Sequence, residues 1–427
     1  MFKKATHQLL KKAGVVFMFR IAGMVISYLA ILFISNYYGA EVYGRFSLAQ
    51  TLLQFSVVIF SLGIETLGVK LTADLRFFSE GKPLNNYLAN SLWVLLLSAI
   101  FGAVLFWVFK KPLAVMVFKD EGLLPYFNYL AIFFVTLIFH NYFSEFLRGK
   151  HQFLRYGLFK YFLPPFIFLI LMWVFQETTF SESGIFLSYI LGFGLLVVPL
   201  LFIFPFKHLK TEVPYSKGML LRASYPMMFS AAFMFLSNWT DVFMLGAMVS
   251  KQEVGIYNAA YKLAILALIV INAVNTILAP KISQLYSANK LKAVQAEVQH
   301  ATKLITYLTA PIVLVLIVFR EPLLELFGAG FSEGKTALVI IAVGLLFNAL
   351  SGSVGQVLNM TQHQEALKKY TIVSVVVNIV LNFILIKQMG FVGAAYASLV
   401  SNVVLNTLCL YRIKKEFGFY AFFKPWK

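Results

Sequence analysis

Residues 39–53, GAEVYGRFSLAQTLL, and residues 250–264, SKQEVGIYNAAYKLA, read as one segment written twice. Gly44 aligns with Gly255, Phe46 with Tyr257, Ala49 with Ala260 and Leu52 with Leu263, each pair 211 positions apart. Outward from this stretch the match persists. Lys70 meets Lys281 at the same offset, and Pro112 meets Pro322, Leu147 meets Leu358 and Gly184 meets Gly393 after small loop changes. Self-similarity at a fixed period marks a duplicated structural unit. The duplication predicts an N-terminal unit over 1–210 and a C-terminal unit over 211–427.

Each unit holds six apolar stretches. Of 427 residues 60% are hydrophobic, 45 are Phe, and mean hydropathy is +0.80. Only 13% are charged, about half the roughly 25% usual in soluble domains. A helix crosses the ~30 Å hydrocarbon layer with about 17–25 apolar residues. The stretches 14–35, 46–68, 86–109, 124–147, 156–175, 184–206, 223–248, 254–279, 301–319, 336–360, 370–386 and 391–411 are long enough. Backbone polar groups in lipid must be satisfied within the segment, so these are helices. The short alternating segments of a β-barrel are absent. The expected fold is all-α, a polytopic membrane protein of about twelve transmembrane helices. Its two parallel six-helix repeats, or lobes, surround a central cavity, which is a transporter layout.

The net charge of +18 invites a nucleic-acid reading, but its distribution points elsewhere. With the N terminus in the cytoplasm, Lys3, Lys4, Lys11, Lys12, the even-numbered loops and the tail from Arg412 to Lys427 share one side. That side carries most of the 36 Lys and Arg. The positive-inside rule accounts for the excess without RNA or DNA. Both termini are therefore expected in the cytoplasm, and the first span acts as its own insertion signal.

Several chemistries find no support. Cys409 is the only cysteine, which excludes intramolecular disulfides and Cys-based metal sites. The six histidines are scattered without an HExxH pattern, and there is no P-loop. The longest loops, near 207–222 and 280–300, are too short to carry a catalytic domain, so the chain reads as no enzyme. Within them, 281–299 reads as an amphipathic helix lying on the membrane surface, with 70–86 as its counterpart.

The remaining chemistry lies in polar residues inside spans, which face protein or water because lipid penalises them. Arg20, Glu65, Glu145, Asp241 and Lys262 are the ionised candidates. Helical spacing places Gln50, Gln54, Ser61 and Glu65 on one stripe, and Asn258, Lys262, Asn272 and Thr276 on another. The seventh span adds Ser230 and Ser237 to Asp241, and the first adds Ser27 to Arg20. The charges do not repeat: Arg20 overlays Ala231, Glu65 overlays Thr276, Asp241 overlays Ala30 and Lys262 overlays Thr51. They read as chemistry specific to one lobe. At 1.5 Å per residue, Asp241 and Lys262 share a depth roughly 10 Å below the outer surface, and Arg20 and Glu65 share one near the inner surface. Either pair could be split by substrate or by a proton.

Plainer readings stand beside these. Arg20 could snorkel to headgroups, Asp241 with Lys262 could be a structural ion pair, and Glu145 with Arg148 a static i,i+3 pair. Asn378 and Asn382 read as interhelical hydrogen-bond glue. Tyr37, Tyr38 and Tyr43 read as an outer interface belt. Pro164, Pro165, Pro199, Pro205 and Pro226 read as helix bends.

Segment 241–281, with VGIYNAAYKLA at 254–264 and APKI at 279–282, resembles the bacterial polysaccharide-biosynthesis flippases. So do GAEVYGRFSLAQ at 39–50 and NIVLNFILIKQMGFVGAAYASLVSN at 378–402. These flippases belong to the multidrug/oligosaccharidyl-lipid/polysaccharide exporter superfamily, and the resemblance covers essentially the whole chain. It implies inversion of an undecaprenyl-diphosphate-linked oligosaccharide of the O-antigen type across the bacterial inner membrane by alternating access. It implies no cofactor beyond a coupling ion, proton or sodium. The implied partners are the lipid-linked oligosaccharide, the bilayer and other polysaccharide assembly proteins. Lipid II flippases of the superfamily carry fourteen spans, which argues against that branch.

The residue chemistry agrees with an anionic glycolipid. Arg20 and Lys262 suit a diphosphate through charge-assisted hydrogen bonds, and Ser27, Gln54, Ser61, Ser237, Asn258, Asn272 and Thr276 suit sugar hydroxyls along the passage. Asp241, Glu65 and Glu145 are the candidates for ion coupling and gating. A cation-coupled drug exporter of the same superfamily is the alternative and predicts a more acidic, aromatic cavity. A membrane glycan polymerase would need a large outer loop, and none is present.

Overall fold

A computed structural model describes residues 2–73, 82–175, 182–204 and 217–425. The described regular structure is helical: α1 (Phe2–Phe60), α2 (Ile64–Ala73), α3 (Lys82–Lys111), α4 (Leu124–Gly149), α5 (Leu163–Phe175), α6 (Gly184–Ile203) and α7 (Lys217–Met248). There follow α8 (Lys251–Ala264), α9 (Leu268–Ser287), α10 (Leu291–Val318), α11 (Lys335–Ser351), α12 (Val354–Met360), α13 (Gln364–Met389) and α14 (Phe391–Phe417). Eleven stretches among the described residues are long and apolar enough to cross a bilayer. They overlap all twelve expected spans, because the first two run together across Gly39, but the expected spans 46–68 and 336–360 are cut short at Phe60 and Ser351. Gly39 has φ 82°, which the missing Cβ makes accessible. The chain is therefore all-α and multi-span. Large apolar side chains stay exposed along α3, among them Trp93, Phe101 and Trp107, as lipid-facing helices require.

The chain divides into two compact units, Met1–Tyr38 with Arg45–Leu236, and Gly39–Gly44 with Ser237–Lys427. The first half of α7 belongs to the first unit, where Phe235 packs against Phe55 and a Cβ on Gly63 would crowd the Ser224 carbonyl. The core of the first unit is aromatic: Phe46 stacks on Phe168 and meets Phe186 and Tyr189 edge-on. The second unit is held by aliphatic packing of Leu278, Ile282, Val294, Val298, Val357 and Ile413.

The duplicated segment has a structural reason. In the second unit, residues 40–44 cross the start of α8 closely enough that a Cβ on Gly44 would overlap the Lys251 carbonyl. A Cβ on Gly255 would overlap the Ala40 carbonyl. Ala40 and Lys251 are themselves 211 positions apart, so each copy offers a glycine to the other copy's carbonyl. Close crossings of this kind need small residues. Ser250 starts α8 with a reciprocal capping box, its Oγ accepting from the Glu253 amide and the Glu253 carboxylate from the Ser250 amide.

The element order repeats as well. A short helical turn follows α3 at Pro112–Val117 and α10 at Arg320–Glu325, and a 3₁₀ turn precedes α4 at Glu121–Leu123 and α11 at Phe331–Gly334. The copies differ where α4 runs unbroken through Asn141. At the matching place α11 stops, Gly352 takes φ 72°, and α12 resumes two residues later.

Four expectations change. The stripe through Gln54, Ser61 and Glu65 is not continuous, because α1 ends at Phe60 and Leu62 (φ 54°) and Gly63 (φ 71°) turn the chain before α2. The stripe through Lys262 and Asn272 is interrupted by the 3₁₀ turn Ile265–Ala267. Residues 281–299 form no surface helix: α9 runs to Ser287, α10 begins at Leu291, and Ile282, Val294 and Val298 are buried in the core. Part of the counterpart at 70–86 lies outside the described residues. Tyr43 leaves the interface belt, being 1% exposed and packed on Phe331, whereas Tyr37 is 65% exposed. Pro199 and Pro226 lie inside α6 and α7, and Pro205 falls outside the described residues.

Candidate functional site: a buried carboxylate in an amide-lined cavity

Asp241 lies about two turns before the end of α7 and is buried. An ionised side chain at such a place is costly and must be held by donors. Tyr257 Oη donates to Oδ2 at 2.7 Å from α8. Asn378 and Asn382 on α13 donate to Oδ1 at 3.1 and 2.7 Å. Ser398 of α14 donates its hydroxyl to Oδ2. Asn378 also accepts from Asn382 at 3.0 Å and reaches Ser401 at 3.4 Å. All four ligands of the carboxylate are neutral, and Lys262 is not among them, so the expected Asp241–Lys262 ion pair does not form. Hydrogen bonds to a charged acceptor contribute about 1.5–3 kcal/mol each, so four of them offset much of the burial penalty.

The same group is rich in oxygen. Asn382 Oδ1 is buried without a hydrogen-bond partner, close to Asp241, Asn378 and Ser398. Carboxylate, amide and hydroxyl oxygens suit a hard cation. Among the described residues no group of three His, Cys, Asp or Glu gathers as a metal centre.

Asp241 also lines a cavity of about 480 Å³ that lies entirely in the second unit. Asparagine is its commonest polar side chain, with Asn272, Asn275, Asn348, Asn359, Asn402 and Asn406 on the wall. The break at Gly352 forms part of that wall together with Ser353, Gly355 and Gln356. Non-helical backbone at membrane depth is tolerated where it lines a cavity.

Of the residues singled out from the sequence, Ser237, Asp241 and Asn272 line this cavity, while Asn258, Lys262 and Thr276 do not. Asn258 is buried and donates to the Val254 carbonyl, and Thr276 bonds the Asn272 carbonyl of its own turn. Lys262 Nζ stands 6.0 Å from the Trp239 ring centroid.

In the first unit the remaining residues stay apart. Ser27 bonds the Gly23 carbonyl, and Gln54 donates to Tyr189 Oη at 3.3 Å. Arg20 is exposed, 5.8 Å from the Tyr161 ring centroid, with no ion pair to Glu65 among the described residues. Ser61 Oγ and Glu65 Oε2 are buried without hydrogen-bond partners. Glu145 is ion-paired twice, with Arg148 Nε at 2.8 Å and Lys160 Nζ at 3.3 Å, and Lys160 also binds Asn141. Lys160, near the start of its span, is a partner that helical spacing does not reveal.

Amides are the commonest polar groups of the site. Their signal was the i,i+4 spacing of Asn378 with Asn382 and of Asn402 with Asn406, each a shared helix face. Asn378 and Asn382 do bridge helices, α13 to α7, and the helix they join to carries the carboxylate.

The fold is that of the exporters of one transporter superfamily. It matches an inward-facing multidrug resistance MATE family transporter with TM-score 0.80 at 14% identity, covering 95% of this chain and 97% of that one. The inward closed lipid II flippase MurJ matches with TM-score 0.75 at 14% identity, over 96% and 89% of the two chains. By sequence, residues 9–286 match the family described as polysaccharide biosynthesis protein, and residues 226–384 match MatE. The chain belongs to the polysaccharide biosynthesis protein family. Two relatives from Haloferax volcanii are the probable low-salt glycan biosynthesis flippase Agl15, 27% identical over 172 residues, and the probable flippase AglR, 28% identical over 181. The matched region spans 40% and 42% of this chain, but only 36% and 38% of those relatives.

Proposed function

We propose that this protein is a flippase that carries a lipid-linked glycan across a membrane for surface polysaccharide assembly, by alternating access coupled to a cation. The observation that carries the reading is Asp241, a buried carboxylate held by neutral donors in the wall of an amide-lined cavity, in a chain of this family. Both archaeal relatives are named as probable flippases. A carboxylate held only by neutral donors can exchange them for a proton or a sodium ion without first losing a salt bridge. In this reading Arg20 and Lys262 meet the diphosphate, Gln54, Ser61 and Asn258 belong to the passage, and Glu65 and Glu145 act in gating. The two repeats divide near residue 210, and the chain transports without covalent chemistry. The carrier is a polyprenyl diphosphate such as undecaprenyl diphosphate, and the membrane is the bacterial inner membrane. Removing the penalty of moving a polar headgroup through hydrocarbon is then the whole contribution of the protein.

Drug export is the second reading, favoured by the MatE match at 226–384. The cavity wall speaks against it, because its polar side chains are amides and hydroxyls with a single acid. The test is reconstitution into proteoliposomes with a polyprenyl-diphosphate oligosaccharide and a membrane-impermeant glycosidase outside. Protein should raise the accessible glycan from one leaflet's share towards complete digestion, and an imposed sodium or proton gradient should accelerate it. No increase over protein-free vesicles, with gradient-driven efflux of organic cations instead, would establish the exporter.

A further inference from the structure

We infer that the cavity of the second unit is a binding site for neutral saccharide, which seats uncharged sugar rings of the headgroup and refuses phosphate and acidic sugars. The inference rests on the flippase reading and deepens it. Sugar hydroxyls donate and accept hydrogen bonds at once, and the primary amide is the side chain that can answer both from one group. Asn272, Asn275, Asn348, Asn402 and Asn406 supply such groups from three helices around one space. Asn275 lines the cavity while its Oδ1 is buried without a hydrogen-bond partner, so a small turn of the amide would offer an acceptor to a ligand hydroxyl. Leaving such a group unsatisfied carries a penalty that a bound hydroxyl removes. Between the amides the wall is apolar, with Ile271, Leu345, Leu399 and the ring of Tyr261. That alternation suits a pyranose, which has apolar C–H faces and a polar rim. The volume of about 480 Å³ falls in the about 300–1,000 Å³ range of small-molecule sites. It holds a short saccharide and not a long glycan.

Charge decides what is refused. No Lys or Arg lines the cavity, and Asp241 is the one acidic side chain on its wall. A second anion beside it would be repelled in a medium that screens poorly. The duplication sharpens the point. Gln356 and Asn359, both on this wall, stand 211 positions after Glu145 and Arg148, which are ion-paired in the first unit. Where one copy has an ionic cluster, the other has amides and an open space. Asn378 and Ser398 both hold Asp241 and line the cavity, so a sugar and a coupling cation would share a wall.

Saturation-transfer NMR on the full-length protein in lipid nanodiscs tests this, with N-acetylglucosamine, glucose and glucuronate as probes. The neutral sugars should give signals and glucuronate none. Asn275→Leu and Asn402→Leu should each weaken neutral-sugar binding about fivefold to tenfold, the effect of one lost neutral hydrogen bond. Asp241→Asn should admit glucuronate, a gain that a misfolded protein cannot produce. The inference is overturned if glucuronate binds the unaltered protein as well as glucose does, or if no neutral sugar binds. It is overturned equally if both leucine variants bind unchanged. Translocation of the whole glycolipid without sugar binding would remove this inference and leave the flippase reading standing. Sugar binding without translocation would do the reverse.

Discussion

Asp241 was visible in the sequence because a carboxylate inside a span is expensive, and expense implies purpose. Its partners were not visible. Depth along the helix pointed to Lys262, since depth is all that a span reading measures. Instead Asp241 meets Tyr257, Asn378, Asn382 and Ser398, four neutral donors on three other helices. The consequence is chemical: a paired carboxylate is a strut, whereas one surrounded only by neutral donors can take up a cation without first losing a salt bridge. Asp241→Asn keeps the shape and removes the charge. In proteoliposomes this variant should lose acceleration by an imposed gradient, a loss of at least about fivefold, the lower end of typical coupling between sites. Gradient dependence equal to the unaltered protein would take Asp241 out of the coupling step. Glu145 has the contrary environment, ion-paired to both Arg148 and Lys160. The i,i+3 pairing with Arg148 could be read from spacing, but the addition of Lys160 needed the turn that brings the next span back.

Helices were easy to count and hard to end. Each of the twelve apolar stretches falls largely on helix among the described residues, because hydrocarbon leaves the backbone no other way to satisfy its hydrogen bonds. The interruptions were missed. The turn after Phe60, the 3₁₀ turn at Ile265–Ala267 and the stop at Gly352 all fall inside apolar runs, where hydropathy is blind to backbone dihedrals. Each interruption shifts the face that follows, which is why stripes drawn at constant helical spacing joined residues that do not meet. Glycine was the better guide. Gly44 and Gly255 recur at the repeat offset because neither crossing carbonyl leaves room for a Cβ. Gly255→Ala is therefore expected to destabilise the protein by about 1–3 kcal/mol, the usual penalty of overpacking. A lowered unfolding temperature in detergent would register it. Gly14→Ala inside α1, with nothing within 4 Å of the added carbon, should not lower that temperature, because alanine favours a helix over glycine.

For the molecule as a whole, the excess of Lys and Arg in one set of loops predicts that both termini face the cytoplasm. Tags at the two ends should be cleaved by protease added to inverted vesicles and protected in right-side-out ones, and opposite fates for the two tags would refute the even span count. Membrane residence, helical class and duplication were all legible in the bare chain, since each depends on quantities that add along it: apolar length, charge per loop, and identity at a fixed offset. The family could be read there too, in segments around Gly44, Gly255 and Asn378. The cavity could not. Its wall is drawn from residues as distant as Ser237 and Cys409. An asparagine in a span looks the same in the chain whether it glues two helices or faces an open space. Which it does depends on where Gly352 breaks a helix and how α7, α9, α13 and α14 close around the gap, and only packing in three dimensions settles that.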